Sequence, residues 1–251
     1  MLGFPTSARA VDCDVELEVL REPVLLPGIA PQDIAFDPAT GTYWVTSGVG
    51  PRIFVLDREL ASSGTIELEI LAGGRPVIDE PLSGIAWDPA HETLWVARRL
   101  VPEIWEIAPD GAPTGRILRP ELSVPGNPNQ RPTIHGIAFS AEGDGGRGSI
   151  WLVNGAVTDV QEIDLEGATL RRFCVPFDRD GCPGKGQAAF SFGVDLVRGA
   201  NGELALDLLA DCGGSSCIVG VDLDGSLTGR RIPLATLGAR PAGFVHVAHP
   251  H

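Results

Sequence analysis

The sequence predicts an all-β fold built from repeated four-stranded antiparallel sheets, and three observations lead to this prediction. A short apolar segment recurs at steps of 51, 52, 57 and 50 residues, centred on Ile34, Ile85, Ile137, Val194 and Phe244. Each of the first four copies is followed by three further β-type segments. Asp-Pro and Pro-Asp-Gly turn signals separate the segments. Four short strands in about 40–50 residues are typical of a β-propeller blade, so we expect four complete blades.

The strands of each blade follow from the aligned repeats. We expect inner strands at 33–36, 84–87, 136–139, 193–196 and 243–246, and second strands at 43–45, 94–96, 150–152 and 204–206. We expect third strands at 53–57, 104–107, 160–164 and 218–222, and outer strands at 66–71, 116–118, 170–173 and 230–233. A four-stranded sheet that is apolar on both faces must pack between two neighbours, and a ring of blades provides them. The repeated Trp and Phe residues are therefore interpreted as packing between blades.

The two ends of the chain fit the same repeat. Residues 15–20 nearly copy the predicted outer strand 66–71, whereas 243–248 reads as an inner strand with nothing after it. We therefore expect the termini to share an incomplete fifth blade within a single propeller domain over residues 13–251. Residues 1–12 are interpreted as a disordered N-terminus or the remnant of a signal peptide, because Ala8-Arg9-Ala10 resembles a signal-peptidase site.

The bulk composition excludes some classes of partner. The formal net charge of the 251-residue chain is −14, which opposes binding to the phosphate backbone of a nucleic acid. No apolar run in the sequence approaches the length of a membrane span. A protein, a glycan or a small molecule therefore remains as the partner, and the sequence does not distinguish among them.

The cysteines indicate an oxidising compartment. Of the five cysteines, Cys174 and Cys182 flank one polar loop, and Cys212 and Cys217 flank another. Such close pairs are typical of disulfides that staple loops, and they predict an extracellular or periplasmic location. Cys13 is left without a predicted partner.

A binding or catalytic site is expected on one face of the propeller. The loops before the inner strands and the loops between second and third strands meet on this face, which we call the upper face, and loops on a rigid scaffold commonly carry function. The candidate residues on the upper face, at the channel mouth, are Asp33, Glu80, Arg98, Arg99, His135, Asn154 and Asp159.

Two kinds of chemistry are open to these residues. Asp33, Glu80 and Asn154 come from three blades and offer the oxygen ligands that Ca²⁺ prefers. Alternatively, each of them caps a turn or is solvated. His135 lies at the channel mouth, and with Glu80 it forms a pair able to abstract a proton. Alternatively, His135 only lines the channel or a turn.

The repeat G-I-A-[FW]-x-P…[LY]-W-V…I-x-x-[IL]-D resembles the propeller superfamily of NHL-type, YVTN-type, streptogramin-lyase-like and gluconolactonase (regucalcin)-like proteins. The segment Pro31–Pro38 resembles the inner strand of the gluconolactonase group, and Ile134–Ala138 resembles that of the lyase group. The first resemblance implies a channel metal held by Glu, Asn and Asp. The second implies a mechanism with two histidines and a glutamate, of which His135 matches one histidine.

These observations lead to two hypotheses about function. The first is a secreted, non-catalytic propeller that binds a partner, because packing residues dominate the repeats. The second is a metal-dependent lactonase or related hydrolase, with a channel-mouth Ca²⁺ ion that polarises a carbonyl and activates water. In this second hypothesis Glu80, Asn154 and Asp33 are the ligands and His135 assists.

Overall fold

The computed structural model describes residues 30–69, 71–72, 75–76, 80–123, 131–155, 159–174, 191–198, 202–211 and 216–234. Residues 1–12, both segments predicted to form the fifth blade, and Cys13, Cys182 and Cys212 lie outside these residues. Within the described chain no helix has the length and apolarity that crossing a membrane requires.

The described chain forms four antiparallel four-stranded blades in a propeller ring, as predicted. Blade 1 contains β1 (Pro31–Asp37), β2 (Thr42–Ser47), β3 (Arg52–Leu56) and β4 (Ser62–Glu67). The two-stranded hairpin of β5 (Leu71–Ala72) and β6 (Arg75–Pro76) follows it. Blade 2 contains β7 (Leu82–Asp88), β8 (Thr93–Arg98), β9 (Ile104–Ile107) and β10 (Pro113–Leu118). Blade 3 contains β11 (Ile134–Ser140), the helical turn α1 (Gly143–Gly146), β12 (Ser149–Asn154), β13 (Asp159–Asp164) and β14 (Thr169–Cys174). Blade 4 contains β15 (Ser191–Arg198), β16 (Leu204–Asp211), β17 (Ser216–Asp222) and β18 (Leu227–Pro233).

The core lies between consecutive blades. One apolar cluster joins Trp44 of blade 1 to Ile85 and Leu94 of blade 2, and the next two clusters join blade 2 to blade 3 and blade 3 to blade 4. Trp95 and Trp151, at the same strand position as Trp44, are completely buried in these clusters. The interpretation of the repeated tryptophans as packing residues is confirmed.

The predicted outer strand of blade 1 is wrong in its bounds. We expected 66–71, but β4 runs from Ser62 to Glu67, with Leu56 opposite Ser62 and Arg52 opposite Glu67. The turn sets this register, because the carboxylate of Asp57 accepts the backbone N–H of Ala61 at 2.8 Å and pairing begins directly afterwards. Nearly all residues of β4 are exposed, so the apolar pattern on which the prediction relied does not mark this strand.

All four inner strands have an irregularity near the upper face, and those of blades 1 to 3 share the same bulge. Pairing with the second strand is interrupted between Pro31 and Ile34 in β1, and at the matching places in β7 and β11. A bulge leaves residues unpaired and re-aims their side chains. It therefore places Asp33 and His135, two of the predicted site residues, at irregular positions beside the axis of the ring.

Candidate functional site

Asp33 joins three blades at the axis. The repeat has glycine at this position in the other blades, at Gly84, Gly136 and Gly193. The buried Asp33 carboxylate uses Oδ2 to accept the backbone N–H of Ile85 at 3.1 Å and of Ile137 at 3.4 Å. These amides belong to the inner strands of blades 2 and 3, so the carboxylate ties the strands of three blades together.

The environment of Asp33 disfavours its ionised form. Burial raises the pKa of the Asp33 carboxyl well above its usual range, and the backbone N–H groups of Ile85, Ile34 and Ile137 only partly oppose this. The negative charge of Asp195 raises the same pKa further. Asp33 therefore holds its proton to a higher pH than an ordinary aspartate.

Glu80 and Arg98 form part of a charged network in blade 2. Their side chains are each 7% exposed, and Arg98 Nη2 lies 3.3 Å from Glu80 Oε2. Arg98 Nη1 donates to Glu103 Oε2 at 2.6 Å, and Arg119 Nε lies 3.0 Å from Glu103 Oε1. Burial alone would raise the pKa of Glu103, but the indole N–H of Trp105 and the guanidinium of Arg98 hold it below its usual range. The network contains two carboxylates and two guanidinium groups, so its charges balance.

The predicted Ca²⁺ ligands each have a protein partner. Asp33 accepts backbone amides, Glu80 pairs with Arg98, and Asn154 Nδ2 donates to the carbonyl of Ser123 at 3.2 Å. The guanidinium beside Glu80 would repel a dication. Among the described residues, no group of three or more His, Cys, Asp or Glu side chains is placed to hold a metal ion. These contacts do not favour one ion shared by all three residues, and the calcium site stays a prediction.

Asp159 is held by the outer strand of blade 3. Its two carboxylate oxygens contact Arg172, at 3.0 Å from Nε and 2.9 Å from Nη2. Gln161 donates to the same carboxylate at 3.1 Å. Asp159 lies opposite Asn154 across β12 and β13, but the partners of its carboxylate draw it towards β14. This geometry gives Asp159 a structural role within its blade.

His135 and Gln32, at matching bulge positions, both pack over glycines of the upper loops. A Cβ atom on Gly155 would come within 2.3 Å of the His135 ring, and one on Gly48 within 2.7 Å of Gln32 Nε2. Arg99 donates to Gln32 Oε1 at 3.3 Å and so links blade 2 to blade 1. Gly155 and Gly48 have no side chain, and this leaves space for the side chains of His135 and Gln32.

A cavity of about 270 Å³ lies on the axis below Asp33. All four inner strands line it, together with Pro38, Pro89 and Ala141, which follow the ends of three of these strands. The cavity therefore lies towards the lower face, where inner strands end, and not among the upper loops where we expected a site. Among the residues that line it, Asp195 has the only charged side chain.

Sequence reasoning missed Asp195, although the repeat contains a signal for it. Ala35, Ala86 and Ala138 occupy the equivalent position in the other three inner strands. A departure from the repeat at a position that is buried in the other three blades marks a residue that packing alone does not explain.

The structure describes only two of the four cysteines in the predicted disulfides. Cys174 ends β14 and is exposed, whereas Cys217 in β17 is buried. Cys182 and Cys212, their predicted partners, lie outside the described residues, so both pairings stay predictions.

No protein-family model matches the chain, and no curated protein matches its sequence. Among solved structures, the chain is similar to glutaminyl cyclase of Myxococcus xanthus, with a TM-score of 0.56 and 14% identity over 84% of this chain and 73% of that one. Hydrazine synthase of Kuenenia stuttgartiensis matches with a TM-score of 0.49 and 13% identity, over 88% of this chain and 53% of that one. Regucalcin, a calcium-binding protein of Agrobacterium tumefaciens, matches with a TM-score of 0.47 and 18% identity, over 73% of this chain and 54% of that one.

This chain thus spans about half the length of two of the three proteins. At such low identity, a structural likeness speaks for the fold and not for the chemistry. The match to glutaminyl cyclase supports a β-propeller fold, which agrees with the four blades described above.

Proposed function

We propose that this protein is a secreted, non-catalytic β-propeller that binds a small molecule in its axial cavity. The cavity carries the proposal. Ligand pockets are concave, mostly apolar and of about 300–1,000 Å³. The cavity of about 270 Å³ lies just below this range and suits a small ligand. Of the partners that the sequence left open, a small molecule therefore fits better than a protein or a glycan.

The pairing of charges on the upper face supports binding rather than turnover. A general base needs a free proton-accepting group beside its substrate. Glu80 instead lies against Arg98, and Asp159 against both nitrogens of the Arg172 fork. Ion pairs that are satisfied within the protein leave these carboxylates poorly placed for acid–base chemistry.

Location and domain extent are part of the same proposal. The two close cysteine pairs support a location outside the cytoplasm. The repeat motif supports a single propeller domain of NHL or YVTN type over residues 13–251. Blade 4 carries a second apolar cluster of Leu209, Ile218, Ile232 and Leu234. This cluster supports an incomplete fifth blade, shared by the termini, as its neighbour.

The proposed binding site can be tested by closing the cavity at its rim. Ala141 lines the cavity yet is exposed, so Ala141→Trp should narrow the mouth without disturbing the core. Calorimetric titration with 2-phenylethanol should show one saturable site in the wild type and a loss of at least about tenfold in affinity in Ala141→Trp. Ala112→Trp, at an exposed turn of blade 2, is the matched control and should bind as the wild type does. Equal binding in all three proteins would contradict the proposal.

The alternative is a metal-dependent lactonase of the gluconolactonase (regucalcin) type. One observation favours it: Glu80 Oε1 is buried and has no hydrogen-bond partner within the described chain. A calcium ion bound at Glu80 would either displace the Arg98 guanidinium or bind beside its positive charge. If this alternative holds, millimolar Ca²⁺ raises Tm by binding the folded state, and Glu80→Gln removes the rise.

We expect no rise in Tm with Ca²⁺ and no hydrolysis of glucono-δ-lactone above the buffer rate. Asp224→Asn, which removes an exposed carboxylate from a turn, controls for non-specific charge effects. Lactone turnover that Glu80→Gln abolishes would replace the binding proposal with the alternative.

A further inference from the structure

We infer that the axial cavity selects a molecule with a single aromatic ring over an aliphatic molecule of similar size. This inference rests on the proposed binding function and adds the chemical class of the ligand. It starts from one repeated position of the inner strands. Phe36, Trp87 and Phe139 occupy this position in blades 1 to 3, and all three line the cavity.

The three rings form a layer between the inner end of the cavity and its rim. The lining residues two positions before the rings lie beside Asp33, which accepts their backbone N–H groups, and they are Ile34, Ile85 and Ile137. The lining residues two positions after the rings are exposed at the rim, and they are Pro38, Pro89 and Ala141. The rings themselves are half-buried. A ligand that enters from the lower face therefore meets the rings before it reaches the isoleucines.

Two of the rings are held in place by stacking. Trp87 stacks on Trp44 at a centroid distance of 5.1 Å and an interplanar angle of 17°. Phe36 stacks on Tyr43 at 4.4 Å and 28°. Such a stack covers one face of the ring and leaves the other face or the edge for a ligand. Rings that are fixed before binding lose little freedom when the ligand arrives, which favours affinity.

The third ring and blade 4 complete the walls. Phe139 packs closely over Gly148, where a Cβ atom would lie 3.1 Å from Cζ of the ring. Blade 4 has Leu196 at the repeated position, and this side chain packs in the apolar cluster between blades 3 and 4. The backbone N–H of Leu196 donates to Oδ1 of Asp195 at 2.9 Å, so the protein itself holds this carboxylate. The three rings, and not a charge, are therefore the distinctive contacts that the cavity offers.

The size of the cavity and the chemistry of its rings suit one substituted aromatic ring. An apolar cavity of about 150 Å³ can bind benzene, and this cavity of about 270 Å³ leaves room for a substituent as well. Aromatic rings attract one another in offset or edge-to-face arrangements, beyond the gain from the apolar area that they bury. An aliphatic ring buries a similar area but lacks this additional attraction.

The preference can be tested with two probes that differ only in the ring, 2-phenylethanol and 2-cyclohexylethanol. Calorimetric titration of the wild type should show about threefold tighter binding of the phenyl compound. Phe139→Leu installs the residue of blade 4, so the fold should tolerate it, and it should lower the ratio of the two affinities by about twofold. Phe36→Leu should do the same. The ratio is the readout because a looser or larger cavity would change both affinities together.

Phe173→Leu is the matched control, because it removes a half-buried ring of blade 3 that packs against Trp151 outside the cavity. It should keep the wild-type ratio. The Tm of each variant shows whether it folds, and either cavity variant alone decides the test. Equal affinity of the wild type for both probes, or tighter binding of the cyclohexyl compound, would overturn the inference and leave the proposed binding site standing. A ratio that stays unchanged in Phe139→Leu and Phe36→Leu would overturn it as well. Binding of neither probe would overturn both the inference and the proposed function.

Discussion

At the scale of single residues, Asp33 shows what sequence reasoning reaches and where it stops. The alignment of repeats placed Asp33 at the channel mouth, because it lies at the start of an inner strand. Its partners depend on how closely three separate strands approach the axis, which no local pattern encodes. The sequence therefore suggested a metal ligand, whereas the structure shows a carboxylate that accepts two backbone N–H groups. Buried N–H groups need acceptors. Here the Asp33 side chain accepts N–H groups from two blades.

The first prediction concerns the pH dependence that Asp33 gives to folding. Because the folded protein binds the Asp33 proton more tightly than the unfolded chain does, Asp33 lowers stability as pH rises from about 4 through the raised pKa. Asp33→Asn removes this titration and keeps an oxygen for the amides of Ile85 and Ile137. The free energy of unfolding of Asp33→Asn, from urea denaturation at a series of pH values, should lack this decrease.

Asp33→Ala separates hydrogen bonding from charge. It removes the acceptor of two buried N–H groups, and we expect a loss of about 1–3 kcal/mol for each group left unsatisfied. Asp224→Asn should follow the pH curve of the wild type. Parallel pH curves for the wild type and Asp33→Asn would show that Asp33 has the same pKa in the folded and unfolded states.

At the scale of strands, the predictions succeeded where both faces of a strand are buried. Inner, second and third strands alternate or run as apolar segments, and their positions in blades 1 to 4 are confirmed. Outer strands are exposed, so their bounds depend on the turns that precede them. The strand β4, for example, begins four residues before the predicted position. The cross-strand ion pairs were also missed, although each links a buried acid of a second or third strand to an outer-strand arginine. They are Glu106–Arg116, Glu162–Arg171 and Asp207–Arg230.

The second prediction tests how bulge and loop fit together. Gly155→Ala would place a methyl group against the His135 ring, and relief of this overlap should cost about 1–3 kcal/mol of stability. In the His135→Ala background the ring is absent, so the added methyl should cost much less. A double-mutant cycle read by thermal or urea unfolding measures this coupling.

Gly64→Ala provides the control for glycine replacement in a strand. A Cβ atom at Gly64 of β4 would meet nothing within 4 Å, so this change should not depend on His135. Equal costs of Gly155→Ala with and without His135 would contradict the packing of the ring over this glycine.

At the scale of the whole molecule, the repeat predicted the ring because each blade needs a neighbour on both faces. Clusters between successive blades confirm this for blades 1 to 4. The site was harder to predict, since convergence at an axis depends on distances between blades. The cavity illustrates this point. Its walls come from residues that the sequence assigned to packing, and blade 4 differs from the others in placing Asp195 where they have alanine.

The last prediction concerns closure of the ring at blade 4. Leu209, Ile218, Ile232 and Leu234 form an apolar cluster separate from the one that packs against blade 3. If residues 243–248 and 15–20 cover it, a chain ending at Arg240 loses half of that cover. Hydrogen exchange should then accelerate in β16 and β17, and Tm should fall. β8 and β12, packed between complete neighbours, should keep their protection because local stability follows local burial.

Removal of residues 1–12 is the matched control, because the repeat places them outside the propeller. This shorter chain should exchange like the full one, whereas the chain ending at Arg240 should not. Exchange of residues 15–20 should also accelerate when the C-terminal segment is removed, since a strand that loses its partner loses the hydrogen bonds that protect its amides. Unchanged exchange in both β16 and residues 15–20 would show that the termini do not share a blade, and the cluster on blade 4 would then need another cover.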